Sequence, residues 1–204
     1  MRQGKDVRDI PICSISDASR YLHVSIHDLD RWLVSGYYED TPPIIQIEKT
    51  FHFKDKGLSF NSLIQAYVFY LLKHRCGVPE NIICNEIFRL TTKEIQRPLL
   101  KPHLFISHLQ HINKIYLERI LYDASCDPTA FFPFLRDPHP YDPNKSKPII
   151  IDPTLNFGKP TLNGIGIPTS SICERFSAGE SVADLAKELQ IPTGLVEDAI
   201  RFAG

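Results

Sequence analysis

His27 and Arg31 stand four residues apart in "SIHDLDRWLVS", so on a helix they share one face. Ile26, Leu29, Trp32 and Leu33 fall at helical spacing on the opposite side. An outward guanidinium in that position could fork onto guanine or hold a phosphate, and Asp28 could accept from a cytosine amino group. These residue types do recognition rather than bond-making. Asp28 and Asp30 count against a polyanionic partner unless they cap a helix or read a specific group. Lys54 and Lys56, beside the turn "KDKG", could reach phosphates from a β-hairpin or wing.

Other clusters carry less chemistry. His103, His108 and His111 lie within one segment, but a metal needs three or four converging ligands, and spacing places no cysteine or carboxylate beside them. In "FGKPTLNGIGIPT" Gly164 and Gly166 could cradle a phosphate, yet the flanking prolines and β-branched residues favour a tight turn between short strands. The chain contains no G-x-x-x-x-G-K-[ST] or G-x-G-x-x-G loop, no H-E-x-x-H and no G-x-S-x-G. The expectation is a protein that is not an enzyme and that uses no cofactor and no metal.

Composition bounds the class. Of 204 residues, 43% are hydrophobic and 23% charged, the balance of a globular chain long enough to bury a core. Lys and Arg number 23 against 24 Asp and Glu, a net charge of −1, so any DNA contact must come from a local patch and from oligomerisation. The five cysteines, at 13, 76, 84, 126 and 173, are scattered without a C-x-x-C pair, which suits free thiols in a reducing cytoplasm. Neither a leader peptide nor an apolar run long enough to span a membrane is legible, so a cytoplasmic protein with no membrane partner is expected.

The elements that would position these residues can be laid out along the chain. Ser16 is the expected N-cap of a helix to Leu22, followed by a turn at His23-Val24 and a second helix from Ser25 to about Ser35. His23 stands where glycine would most easily supply φ > 0. A plain helical hairpin with a solvated polar face competes with the recognition reading. "PPIIQIEKTFHFKDKGLSF" reads as a short hairpin or wing. A helix from Ser59 to Arg75, apolar on most faces, belongs in a core or dimer interface, and another runs from about Pro79 to Leu90. "KIYLERILYD" looks strand-like, with helix still open.

Prolines 133, 138, 140, 143, 148 and 153 make a stiff extended connector, with a domain boundary near 137–148. Beyond it come a helix from Pro168–Thr169 to Gly179, a helix begun by Ser181 with Asp184, and a last helix capped by Thr193. On that last helix Glu197, Asp198 and Arg201 are expected to face outward. Two carboxylates at that position repel phosphate, so this second helix pair suits a protein partner.

Two stretches resemble known families. "IDPTLNFGKPTLNGIGIPTSSICERFSAGESVADLAKELQIPTGLVEDAIRFA" resembles the bacterial domain of unknown function 433. The matching residues are Asp152-Pro153, Phe157-Gly158-Lys159-Pro160, Gly164, Gly166-Ile167-Pro168, Gly179-Glu180-Ser181 and Ala199-Ile200-Arg201-Phe202. Gly166 departs from it, since the family usually has arginine there. "ISDASRYLHVSIHDLDRWL", "LSF" with the long helix after it, and "HRCGVPENIICNEI" resemble the MerR-like DNA-binding domain joined to this module in VapB-type antitoxins. The resemblance implies a mainly α protein with short β-hairpins (α+β), made of a MerR-like winged helix-turn-helix and a small helix-turn-helix-like module. The corresponding spans are 1–95 for DNA binding, 96–147 for the connecting region and 148–204 for the module. It further implies an antitoxin of a type II pair that neutralises a PIN-domain ribonuclease and represses its own operon as a homodimer. Operator contacts are then expected at Ser16, Arg20, Ser25, His27, Arg31, Lys54 and Lys56. A stand-alone repressor, or an assembly protein that binds no DNA, are the alternatives.

Overall fold

The computed structural model describes residues 6–34, 44–45, 57–105, 107, 114–136 and 147–203. The chain divides into two compact units, Met1–Thr129 and Ala130–Gly204. In the first, strand β1 (Pro11–Ser14) lies antiparallel to β2 (Gly57–Ser59), with Cys13 opposite Leu58. Each strand runs directly into a helix through a serine cap. Ser14 begins α1 (Ile15–Leu22), and Ser59 begins α3 (Phe60–Tyr70). The Asp17 N–H donates to Ser14 Oγ at 3.1 Å, and the Ser14 N–H donates back to the Asp17 carboxylate at 3.2 Å. The cap is therefore Ser14 and not Ser16, which is an exposed residue inside the first turn. The strand delivers the chain to the helix two residues earlier than helical periodicity alone implies.

Between these strands lies α2 (Ile26–Val34), which buries Leu29, Trp32 and Leu33. Helix α3 is buried from Phe60 through Phe69, as its apolar sequence requires, and passes into a π turn at Leu71–Arg75. Helix α4 (Glu80–Thr91) buries Ile83 and Leu90. The segment left open between helix and strand proves to be both: a one-turn helix α5 (Lys114–Leu117), then strand β3 (Ile120–Tyr122). Asp9 ties the unit together by accepting from Asn61 Nδ2 at 2.8 Å and pairing with Arg97. Cys13 is fully buried, and burial pushes its thiol far above the ordinary thiol range.

In the second unit β4 (Pro128–Phe134), β5 (Ile149–Ile151) and β6 (Thr161–Leu162) pair antiparallel in that order. Helices α6 (Thr169–Ser177), α7 (Val182–Leu189) and α8 (Thr193–Ala203) follow. Leu162, Ile172, Leu185, Ala186, Val196 and Ala199 form its core. Small antiparallel sheets among many helices make this an α+β protein. None of the five cysteines is in a disulfide. Among the described residues no helix is long and apolar enough to cross a membrane.

Candidate nucleic-acid interface

The first helix pair is closed by a compact turn. Val24 N–H donates to Ser19 O at 3.1 Å, Ser19 Oγ donates to Val24 O at 2.6 Å, and His23 takes the left-handed conformation at φ 54°. A histidine carries Cβ strain there that glycine would not. His23→Gly is expected to raise stability by about 0.5 kcal/mol, read as a higher Tm, because relief of the strain slightly exceeds the added chain entropy. A lower Tm would mean that the imidazole contributes a contact of its own.

Ser25 and Asp28 open α2 together. The Asp28 N–H donates to Ser25 Oγ at 3.0 Å, and Ser25 Oγ donates to the Asp28 carboxylate at 2.7 Å. That hydrogen bond from Ser25 is the main reason the Asp28 carboxyl is held below its ordinary range. Asp28 is thus a capping carboxylate first, which accounts for one of the two negative charges on a candidate recognition helix. Ile26, expected on the buried stripe, is instead 54% exposed, because Leu29, Trp32 and Leu33 alone fill the inward side.

Ser16 and Arg20 on α1, and Ser25, His27 and Arg31 at α2, are all solvent-exposed. Neither arginine is bare. Arg20 pairs with Asp17 at 3.2 Å. Arg31 Nη2 donates to Glu80 Oε2 at 2.9 Å and lies 3.6 Å from Asp28 Oδ1, while Lys73 Nζ reaches the same Glu80 oxygen at 2.6 Å. Glu80 thus holds Arg31 through Nη2, and among the described residues neither Nε nor Nη1 makes a hydrogen bond. Nothing in the local sequence pointed to Glu80, which comes from the start of α4. Lys54, Lys56 and the wing that would carry them lie outside the described residues, as do His108 and His111. Among the described residues no three His, Cys, Asp or Glu groups gather for a metal.

The second pair repeats the turn of the first. Gln190 sits at φ 54°, ψ 42°, against 54° and 43° for His23, and the Ile191 N–H donates to Ala186 O at 3.0 Å. Ser181 caps α7 through the Asp184 N–H at 3.1 Å, as the sequence indicated. The difference lies in the helix that follows. Arg136, just after β4, donates through Nη2 to Gly194 O at 2.5 Å and forms an ion pair with Asp198. A Cβ at position 194 would stand 3.2 Å from Arg136 Nη2, so glycine makes room for the guanidinium. The Phe134 ring meets Phe202 edge-on at 6.4 Å.

Helix α8 differs from expectation at Asp198 and Thr193. Asp198 is buried, at 2% exposure, and not outward, because α8 packs on two sides: against the helical core and against the residues that end β4. Thr193 is the first helical residue rather than the cap. Of the three supposed outward groups, only Glu197 and Arg201 are exposed.

The α6–α7 corner is clamped by Arg175, whose Nε donates to Glu180 at 2.7 Å and whose Nη1 donates to Glu188 at 2.9 Å. These bonds hold both glutamates below the ordinary carboxylate value of 4.5. The folded state therefore binds fewer protons than the unfolded chain as the pH falls through this range, so the clamp stabilises fully above about 4.5 and is lost below it. The Tm difference between the wild type and Arg175→Gln should shrink as the pH falls below that value. A constant difference down to strong acid would mean that Arg175 acts by packing.

Residues 149–203 match the model of a family described as a protein of unknown function, DUF433. No curated protein matches the chain. The crystal structure of Rv2018 from Mycobacterium tuberculosis is similar, with a TM-score of 0.71 and 19% identity over 94% of this chain and 98% of that one. At that identity the likeness speaks for the fold alone.

Proposed function

We propose that the chain is an antitoxin of a type II pair, a cytoplasmic homodimer that represses its own operon and neutralises a PIN-domain ribonuclease. In this reading the first unit is a MerR-like winged helix-turn-helix. Ser16, Arg20, Ser25, His27 and Arg31 meet operator DNA, and Lys54 and Lys56 add phosphate contacts from the wing. The C-terminal module serves self-association or toxin binding. One observation carries the division of labour. Two helix pairs share one turn geometry, yet α2 presents His27 and Arg31 to solvent whereas Arg136 covers the start of α8. A helix capped by its own strand end has no free N-terminal half to lay in a groove.

The test is a gel shift on the chain's own upstream DNA at two salt concentrations. A discrete, salt-sensitive complex that a scrambled duplex does not give is the expected result. The variant with Glu at 20, 31, 54 and 56 should lose it while keeping its oligomeric mass, and retained binding would overturn the assignment. Arg31→Gln should relax specificity at one base position without setting another carboxylate beside Glu80. An assembly protein that binds no DNA is the second reading, favoured by the Asp17, Asp28 and Glu80 carboxylates that already balance both arginines. A protein of that kind would pass through heparin at low salt.

A further inference from the structure

Phe157 is 90% exposed, more than any other large apolar side chain among the described residues. Its place is built, not frayed. Asn156 and Phe157 both take left-handed backbone, at φ 46° and 57°, and Gly158 follows at 73°. Asparagine tolerates that region, but Phe157 carries strain that a bulky L side chain avoids unless its surroundings hold it there. The holding contacts are specific: Asn156 Nδ2 donates to Gly166 O at 2.9 Å, the Gly158 N–H to Leu155 O at 2.8 Å, and the Lys159 N–H to Asn156 O at 3.1 Å. The Asn156 bond sets this tip beside the 163–166 turn, where Ile165 is 38% exposed, and Leu155 is 44% exposed at the tip itself. A single exposed apolar residue needs no explanation, but three of them with an aromatic held out against backbone preference do.

Charge narrows what could cover them. Lys159 is exposed and has no ion pair among the described residues. The Asp152 carboxylate accepts from both the N–H and Oγ of Thr154, at 2.7 and 2.6 Å. The tip is therefore an aromatic knob beside one uncompensated ammonium. Two-fold self-association through it would bring two Lys159 charges together, which opposes that pairing. Single-stranded nucleic acid needs a cationic groove along its backbone, and the aliphatic Leu155 and Ile165 offer no second stacking platform.

We infer that the Leu155–Lys159 tip is a protein-docking element, with Phe157 filling an apolar pocket and Lys159 meeting a carboxylate on its rim. It rests on the antitoxin reading in taking the nuclease as the protein that bears this pocket. The experiment measures affinity of the full chain, wild type, Phe157→Ala and Lys159→Glu, for the purified nuclease encoded beside its own gene. Thermal melts of all three and a titration with a single-stranded oligonucleotide complete the set. Phe157→Ala should weaken nuclease binding by roughly 30-fold or more, Lys159→Glu by about tenfold, and neither should lower the melting temperature. Wild-type binding with both variants unchanged would overturn the docking site and leave the antitoxin reading standing. No wild-type binding would end both. A change of oligomeric mass in Phe157→Ala, or oligonucleotide binding that depends on Phe157, would give the tip to a different occupant and overturn the inference.

Discussion

Arg136→Ala is expected to destabilise the C-terminal unit by about 3 kcal/mol, seen as a urea transition moved to lower concentration. Asp198 is 2% exposed and faces the Arg136 guanidinium, whose directed hydrogen bond goes to Gly194 O. Removing the arginine leaves the buried carboxylate with only the exposed Arg201 guanidinium, 4.0 Å away, as counter-charge, and breaking a buried pair typically costs about 3–5 kcal/mol. The lower end applies because the Arg136 side chain is 36% exposed, so water screens part of the attraction. Replacing both partners should recover most of the loss. Arg136→Met with Asp198→Leu removes the buried charge together with the need to neutralise it. If the single variant melted like the wild type, the ion pair would contribute nothing, and α8 would owe its position to its apolar face alone.

Trp32→Ala should cost about 4 kcal/mol in the first unit, the loss expected when a large buried aromatic is cut to a methyl. The ring is fully buried, lies 4.8 Å from Phe69, and carries the Lys73 ammonium 5.7 Å from its centroid. Because Trp32 packs α2 on Phe69 of α3, the variant should also lose the operator binding proposed above, by releasing the helix rather than by removing a contact. Trp32→Phe should cost much less. The indole N–H has no hydrogen-bond partner among the described residues, so phenylalanine gives up volume without orphaning a polar group. Equal losses for Ala and Phe would show that the indole nitrogen is paired after all. Trp32 is the single tryptophan, and its fluorescence reports on this unit directly.

What the sequence made legible was local. The serine-aspartate start at Ser181 and Asp184 could be read because both partners lie within one turn, and the αL position of His23 because no glycine was available for it. The same serine-aspartate pattern at Ser14 and Asp17 was equally present. It does not stand out because the strand before it hides the helix start, and Ser16 lies nearer the apolar stripe. Asp198 was misplaced for a different reason. Helical periodicity assigns one buried side, whereas α8 has two, and the second is covered by Arg136, which follows a strand far away in sequence. Glu80 beside Arg31 is a long-range partner of the same kind. The Phe157 tip left no trace in composition or period, because its exposure comes from two consecutive left-handed residues that an Asn-Phe pair does not announce.

The cysteines give this protein a pair of internal clocks. Cys173 is the lone thiol of the second unit, half-buried with its Sγ 3.3 Å from Ala199 O, and Cys13 is sealed in the first beside β2. A thiol reagent can reach Cys13 only while β1 and β2 are apart, so its labelling rate under native conditions counts openings of that unit. Cys173, half-buried against α8, is open to slow labelling in the folded unit and should react faster as α8 loosens. Read residue by residue by mass spectrometry, so that Cys76, Cys84 and Cys126 do not enter the count, the two rates report on the two units in one tube, and Arg136→Ala should quicken the labelling of Cys173.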